Sequence, residues 1–352
     1  MIKINRSNLI PAIDVYTKNM TKDDANVLTK AAIEYSKAIA FFTDANHYLN
    51  NKKLVKKDFG FTVYKDKKLI SELENIFGEK CAYCESDFRA VSPKDIEHFR
   101  PKSEVITSAG EILRPGYYWM AGEWFNLLVS CPDCNRKRSH RVPGQPRMLT
   151  LGKHTQFPLA NESVRLRSHT CTPIQKQNED AQRLLIHPCL DDPEAYFTYD
   201  DEGLIYPKDK NNEKARCSIY VYALQRKGLV ESRKKKLLEL EERLLNLQDP
   251  IQELNALDPE AEELWSAKER QITRLLGQVK RMFQPGEPYL GLLRDYIRRH
   301  IALGTYEGYI SAGINIADLL RLPVSRPLPA PRLDLSNFRG MSSRIPVGLR
   351  LR

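Results

Sequence analysis

Two cysteine pairs, and the segment they enclose, hold the residues of this sequence that could do chemistry. Cys81-Ala-Tyr-Cys84 and Cys131-Pro-Asp-Cys134 are separated by 46 residues, 85 through 130. A two-residue spacer lets both thiolates of a pair reach one ion, and two such pairs complete a tetrahedral four-sulfur site. The spacing predicts one structural zinc on Cys81, Cys84, Cys131 and Cys134, with no ligand position left open for catalysis. Between the pairs stand Asp95-Ile-Glu97-His98-Phe-Arg100-Pro-Lys102 and then Trp124-Phe-Asn126, and Asn135 directly follows the second pair. An imidazole can deprotonate water near neutral pH, and carboxylate and amide oxygens suit a hard divalent cation. A lone Glu-His pair is commonly an ordinary packing pair; the weight comes from the whole ordered set.

That set resembles the HNH endonucleases, whose ββα-metal motif runs from an acid–His pair through a middle Asn to a His or Asn on the motif helix. The resemblance covers about residues 81–138. It implies His98 as general base and Glu97 with Asn135 as ligands of a catalytic Mg²⁺, or Mn²⁺ in its place. Asn126 would tie down the loop that orients His98. Many members carry Asp before the catalytic His where this chain has Glu97, and Asp95, on the same strand face, could share or replace its role. Arg100, Lys102 and, at the helix start, Arg136, Lys137 and Arg138 are expected to contact phosphate. Trp119 and Trp124 read as core of the small module.

Further stretches narrow the branch. Cys81-Ala-Tyr-Cys84-Glu85, His98-Phe-Arg-Pro-Lys102, Phe157-Pro-Leu159 and Leu184-Leu-Ile-His-Pro-Cys-Leu-Asp-Asp-Pro193 resemble the PtuB-like HNH proteins over about residues 67–245. The resemblance implies a nuclease partnered by an ABC/SMC-type, PtuA-like ATPase in Septu or retron anti-phage defence, with DNA the favoured substrate. An RNase of the same fold, or a non-catalytic zinc-ribbon adaptor, are the competing readings.

The elements that must position these residues are mostly helical. Residues 1–66 read as a helical region, with a helix start at Thr21-Lys22-Asp23-Asp24 and apolar positions Val27, Leu28, Ala31, Ile33, Tyr35 and Ala38 behind it. A helix from about Lys68 through Ile76, stopped by Gly78, leads into the first cysteine pair. Residues 67–140 form the expected zinc-clamped nuclease core, and 141–210 an irregular extension with short strands. A helical region over 211–304 starts near Asn212. Its stripe of Leu237, Leu240, Leu244 and Leu247 suits packing within the chain better than a coiled-coil seam, and Pro250 is read as the helix end. The extension 305–352 ends in a Pro- and Arg-rich tail read as flexible. The expected fold class is therefore α+β, predominantly helical, around a ββα-metal core with a four-cysteine zinc site.

Composition fits this picture without specifying it. Lys and Arg number 55 against 45 acids, a formal +10, which suits a polyanionic partner. No apolar run of roughly 20 residues is present, and the first residues lack a secretory signal, so a cytoplasmic location is expected. Seven cysteines in such a chain favour metal binding over a disulfide framework, with Cys171, Cys189 and Cys217 as packed thiols. His140, His154, His169 and His187 show no metal-like spacing.

Overall fold

In the computed structural model, which describes residues 1–20, 28–54, 57–88, 90, 92–258, 260–310 and 312–324, about half the chain is helical and the strands are short. The α-helices are α1 (Asp14–Thr17), α2 (Lys30–Phe42), α3 (Lys67–Phe77), α4 (Pro132–Asn135), α5 (Pro173–Gln182), α6 (Pro193–Tyr196), α7 (Glu213–Val221), α8 (Lys227–Ala256), α9 (Glu262–Met282), α10 (Leu290–Ala302) and α11 (Glu307–Ile310). The strands are β1 (Asp95–His98), β2 (Val105–Ile106), β3 (Ile112–Leu113), β4 (Leu127–Ser130), β5 (Arg138–His140), β6 (Leu149–Leu151), β7 (Phe197–Tyr199) and β8 (Ile205–Pro207). They pair antiparallel as four two-stranded ladders, β1 with β4, β2 with β3, β5 with β6 and β7 with β8. Two-stranded ladders need outside support. Here one continuous apolar cluster, running from Met1 through Tyr83, Trp124 and Leu240 to Leu319, supplies it.

Helix α3 forms where the apolar spacing places it. Asp66 caps its first turn by accepting from the amides of Lys68 and Leu69, Leu69, Leu73 and Phe77 fill the core, and Gly78 ends it in the left-handed conformation (φ +61). Cys81 follows three residues later. The leucine stripe of α8 is buried in the chain's own core, as expected.

Several sequence expectations change. The first long helix starts at Lys30, capped by Thr29, whose hydroxyl accepts from the Ala32 amide; the start read at residues 21–24, and Val27, lie outside the described residues. The helical stretch beginning at Asn212 breaks at Tyr222 and resumes at Lys227. Pro250 does not end α8. The helix runs on to Ala256 because Leu247, Pro250, Ile251 and Leu254 continue the buried face against α9, and that packing outweighs one lost backbone hydrogen bond. The irregular extension holds a true helix, α5, started by Thr172 and Gln175 in a reciprocal capping box. Most of the Pro/Arg tail lies outside the described residues. Among the described residues, no helix is long and apolar enough to cross a membrane.

Candidate functional site

The site is assembled on β1, β4 and α4, with the four cysteines at its base. The first pair follows α3, and the Ala82 amide donates to the Val129 carbonyl at 2.9 Å, fastening that knuckle along β4. Cys131 leaves the end of β4 and is the N-cap of α4, so the second pair sits on the strand-to-helix turn. All four sulfurs are buried and lie within 4.8 Å of one another, with Cys84 and Cys131 Sγ 3.7 Å apart. Tetrahedral thiolates at about 2.3 Å from one ion would stand about 3.8 Å apart. The cluster could therefore hold a metal ion, and among the described residues no other set of three or more His, Cys, Asp or Glu side chains converges so closely.

Strand β1 pairs with β4 in the register Asp95 to Ser130 through His98 to Leu127. Alternation puts Asp95 and Glu97 on one face, Ile96 and His98 on the other. His98 is buried. Its Nε2 lies 3.0 Å from the Ala121 carbonyl, which can only accept, so Nε2 carries the proton and Nδ1 the lone pair. The Lys102 ammonium donates to that Nδ1 at 3.3 Å and also sits over the ring of Tyr64, whose edge meets the His98 ring with centroids 4.7 Å apart. Burial, reinforced by the Lys102 and Lys153 charges, holds the His98 imidazole well below its ordinary pKa. The ring is therefore held in its neutral form at pH 7.

Asn126 fastens the loop that supplies the Ala121 carbonyl. Its Oδ1 accepts from the Arg100 amide at 2.7 Å, and its Nδ2 donates to the carbonyls of Arg100 and Met120, each at 3.0 Å. On the opposite face, Asn135, the last residue of α4, donates from Nδ2 to Asp95 at 3.1 Å, and Arg136 forks onto both oxygens of the same carboxylate. Glu97 is paired with Lys153 and buried, and burial raises its pKa against the pull of that lysine. An open cleft of about 320 Å³ lies beside these groups, lined by Tyr64, Lys65, Ile70, Lys94, Asp95, Ile96, Asn135 and Arg136. Glu97 and His98 are buried and are not among the residues that line it.

One reading of the basic residues is refined and one is corrected. Arg100 is engaged inside the protein. Its guanidinium is buried, bonded to Glu179 at 2.7 Å and Asp180 at 2.6 Å, so its charge is already matched inside the protein. Arg136, Lys137 and Arg138 do not stand at a helix start, because α4 ends at Asn135 and they lead into β5. All three are exposed; Arg136 is paired with Asp95 and Arg138 with Asp133. Trp119 and Trp124 are buried, as expected.

Lys153 and Tyr64 were invisible to sequence reading. Lys153 arrives because Gly152, at φ +121, passes so close to the Arg136 carbonyl that a Cβ would stand 2.0 Å from its oxygen. The Lys153 amide then bonds the Cys134 carbonyl at 2.8 Å, and its ammonium reaches the His98 carbonyl at 3.0 Å as well as Glu97. Nothing local marked Lys153 except the glycine before it. Tyr64 comes from a 3-10 turn, Val63–Lys65, with no motif around it.

No protein-family model matches the chain. It is 34% identical over 242 residues to Septu protein PtuB of Bacillus mycoides (strain KBAB4), spanning 67% of this chain and 75% of that protein. This chain belongs to the PtuB-like HNH family. A second relative is a protein named as a candidate HNH endonuclease of the Vc95 retron in Vibrio cholerae serotype O1 biovar El Tor, 25% identical over 181 residues, 50% of this chain and 67% of that protein. The chain also matches 20% of Septu protein PtuA from the same Bacillus strain, at 31% identity over 162 residues and 46% of this chain. The PtuB-like relationship thus extends well beyond the segment between the cysteine pairs.

Proposed function

We propose that the chain is a metal-dependent endonuclease that hydrolyses phosphodiester bonds of DNA, acting as the nuclease of a defence complex with a PtuA-like ATPase. The observation that carries this reading is the setting of His98. A buried, neutral imidazole is fixed at Nε2 by a backbone carbonyl, while Nδ1 keeps its lone pair one residue away from Glu97. In this reading β1, β4 and α4 are the ββα-metal unit, within a nuclease core spanning residues 67–140. The four cysteines hold zinc as its frame, which the sulfur spacing supports. The helical regions 1–66 and 211–304, with the 141–210 extension, would cover that core and offer the ATPase a docking surface.

The chemistry is assigned to the chain's own groups. Nδ1 of His98 takes the proton from a water whose oxygen attacks phosphorus, as the bond from phosphorus to the leaving oxygen breaks. Asn126 keeps the ring in line by holding the Met120 and Arg100 backbone beside it. Glu97 and the Asn135 amide oxygen would hold Mg²⁺ or Mn²⁺, with Asp95 on the same strand face as a further oxygen donor; hard oxygen ligands fit such an ion. A bound divalent cation would neutralise charge on the scissile phosphate and leaving oxygen. Lys102, drawn from Nδ1 toward an incoming phosphate, would free the base as substrate arrives. Lys137, Arg136 and Arg138 would guide the flanking backbone from outside.

His98→Ala tests the reading. The full chain, with and without a co-expressed PtuA-like ATPase, is incubated with plasmid DNA and with RNA in Mg²⁺ or Mn²⁺. Metal-dependent cutting of DNA by wild type, abolished in the variant at unchanged zinc content and melting temperature, is the expected result. Cutting of RNA alone would move the substrate to RNA. A variant as active as wild type would remove the mechanism, and a wild type that binds but never cuts would point to an adaptor.

A further inference from the structure

Arg226 lies 92 residues beyond Cys134, at the N-cap of α8, yet its guanidinium reaches the four-cysteine cluster. Nη2 lies 3.3 Å from Cys84 Sγ and 3.7 Å from Cys131 Sγ, and Nη1 lies 3.5 Å from Cys134 Sγ. The side chain is buried. It also donates to the Ala223 carbonyl at 3.1 Å and pairs with the Asp133 carboxylate at 3.6 Å. A turn places it there: Ala223 adopts φ +52 between α7 and α8, and the Arg226 amide bonds back to the Ala223 carbonyl at 3.2 Å.

Resting on the zinc reading above, we infer that Arg226 is a positioning and charge-compensating residue of the metal frame. Four thiolates around one divalent ion leave two negative charges in a buried place. A guanidinium that donates to three of the sulfurs removes part of that excess and fixes the sulfur lone pairs in direction. Its planar fork can reach several sulfurs at once, where an ammonium is a point charge. The dependence runs both ways. A buried guanidinium needs counter-charge; the partly exposed Asp133 carboxylate at 3.6 Å supplies some of it, and protonated thiols would add none. Metal binding therefore also locks the α7–α8 joint onto the nuclease core, which ties the C-terminal helices to the zinc frame. Outer partners of metal ligands commonly change retention of the ion by about tenfold or more.

The test uses the full chain purified with zinc as wild type, Arg226→Met, Arg226→Lys and Arg233→Met. Arg233 is a buried arginine of the same helix that donates to the Leu224 carbonyl and, among the described residues, to no sulfur, so its variant controls for general loosening of α8. Zinc transfer to an excess of chelating dye is followed with time. Release should be about tenfold faster in Arg226→Met, intermediate in Arg226→Lys and close to wild type in Arg233→Met. In cobalt-substituted protein, the sulfur-to-cobalt absorption should move to lower energy in both Arg226 variants, because the sulfurs lose N–H donors. Should Arg226→Met not fold, Arg226→Lys and the cobalt spectrum decide. Release rates and spectra matching wild type in the Arg226 variants overturn the inference, as does equally fast release from Arg233→Met. A wild-type chain that neither carries zinc nor takes up cobalt would overturn the zinc reading first, and this inference with it.

Discussion

Lys102 Nζ stands 3.3 Å from Nδ1 of His98, on the side of the imidazole opposite the Ala121 carbonyl. The two ring nitrogens are therefore engaged differently. Nε2 is fixed by the backbone, whereas Nδ1 accepts from a lysine side chain. In the proposed mechanism, a cation that caps the base and pairs with phosphate would link substrate arrival to release of the base, provided the lysine is charged.

That condition makes Lys102 testable by pH. Burial pushes its ammonium down to about 8, with Glu97 pulling the other way and Lys65 adding to the fall. Lys102 is thus cationic below about pH 8 and neutral above it. Its contribution to holding nucleic acid should be present at pH 7 and fade as pH rises through that range. Lys102→Met should weaken binding, lower the salt dependence by about one phosphate contact, and remove the fall in affinity on the alkaline side. Fluorescence anisotropy of a labelled oligonucleotide across salt and pH measures all three. A variant with the wild-type salt slope would place Lys102 away from phosphate.

Asn126 should matter for stability as well as activity. Asn126→Ala removes three hydrogen bonds and leaves the Arg100 amide and the Arg100 and Met120 carbonyls without that partner in a buried setting. The expected loss is about 2–4 kcal/mol, read by denaturant unfolding. At a temperature where the variant remains folded, its cleavage rate should still fall, because the Ala121 carbonyl is no longer held against Nε2. A variant destabilised to this degree but fully active would separate the loop from the orientation of His98.

How far the sequence disclosed this arrangement depended on whether a residue's partners were close in the chain. The cysteine pairs were readable because metal-ligand spacing is local within each pair, and the four sulfurs do converge. Helix α3 was readable for the same reason, from its apolar period and Gly78. The carboxylate partners of Arg100 were not readable, because a basic residue beside a motif looks the same whether it meets phosphate or a carboxylate, and Glu179 and Asp180 are about eighty residues away. Arg226 and Tyr64 carry no local mark, and Lys153 only the glycine before it, since each depends on a turn that brings distant chain to the site. Pro250 followed a sound local rule that long-range packing against α9 overrode.

Acid should loosen the 183–214 region through Asp191. Burial opposes its charge, but hydrogen bonds and attraction from Arg183, then Lys214, and the His187 amide outweigh it, so its carboxyl titrates below the ordinary range. A depressed carboxylate contributes stability that is complete above its unfolded pKa, about 3.9, and is lost as pH falls through the folded value. Asp191→Asn should lower stability at pH 7 and flatten the acid limb of a stability-against-pH curve below about pH 4. An unchanged acid limb would assign the acid sensitivity to other carboxylates.

Arg100 separates a structural cation from a substrate-binding one. Its guanidinium joins Glu179, which also accepts from the Tyr117 hydroxyl at 2.7 Å and the Leu166 amide at 2.7 Å, and Asp180 on the next residue of α5. Removing the arginine strands a fully buried carboxylate, and breaking such a pair typically costs about 3–5 kcal/mol. Arg100→Ala should therefore show a large loss in unfolding free energy while the folded fraction keeps its salt dependence of nucleic-acid binding. Lys137→Ala, exposed on the strand side of α4, should do the reverse, with stability within about 0.5 kcal/mol of wild type and a shallower salt slope. The two variants together decide which cations meet the substrate. If Arg100→Ala lost binding without losing stability, its carboxylate partners would have to release it when nucleic acid enters.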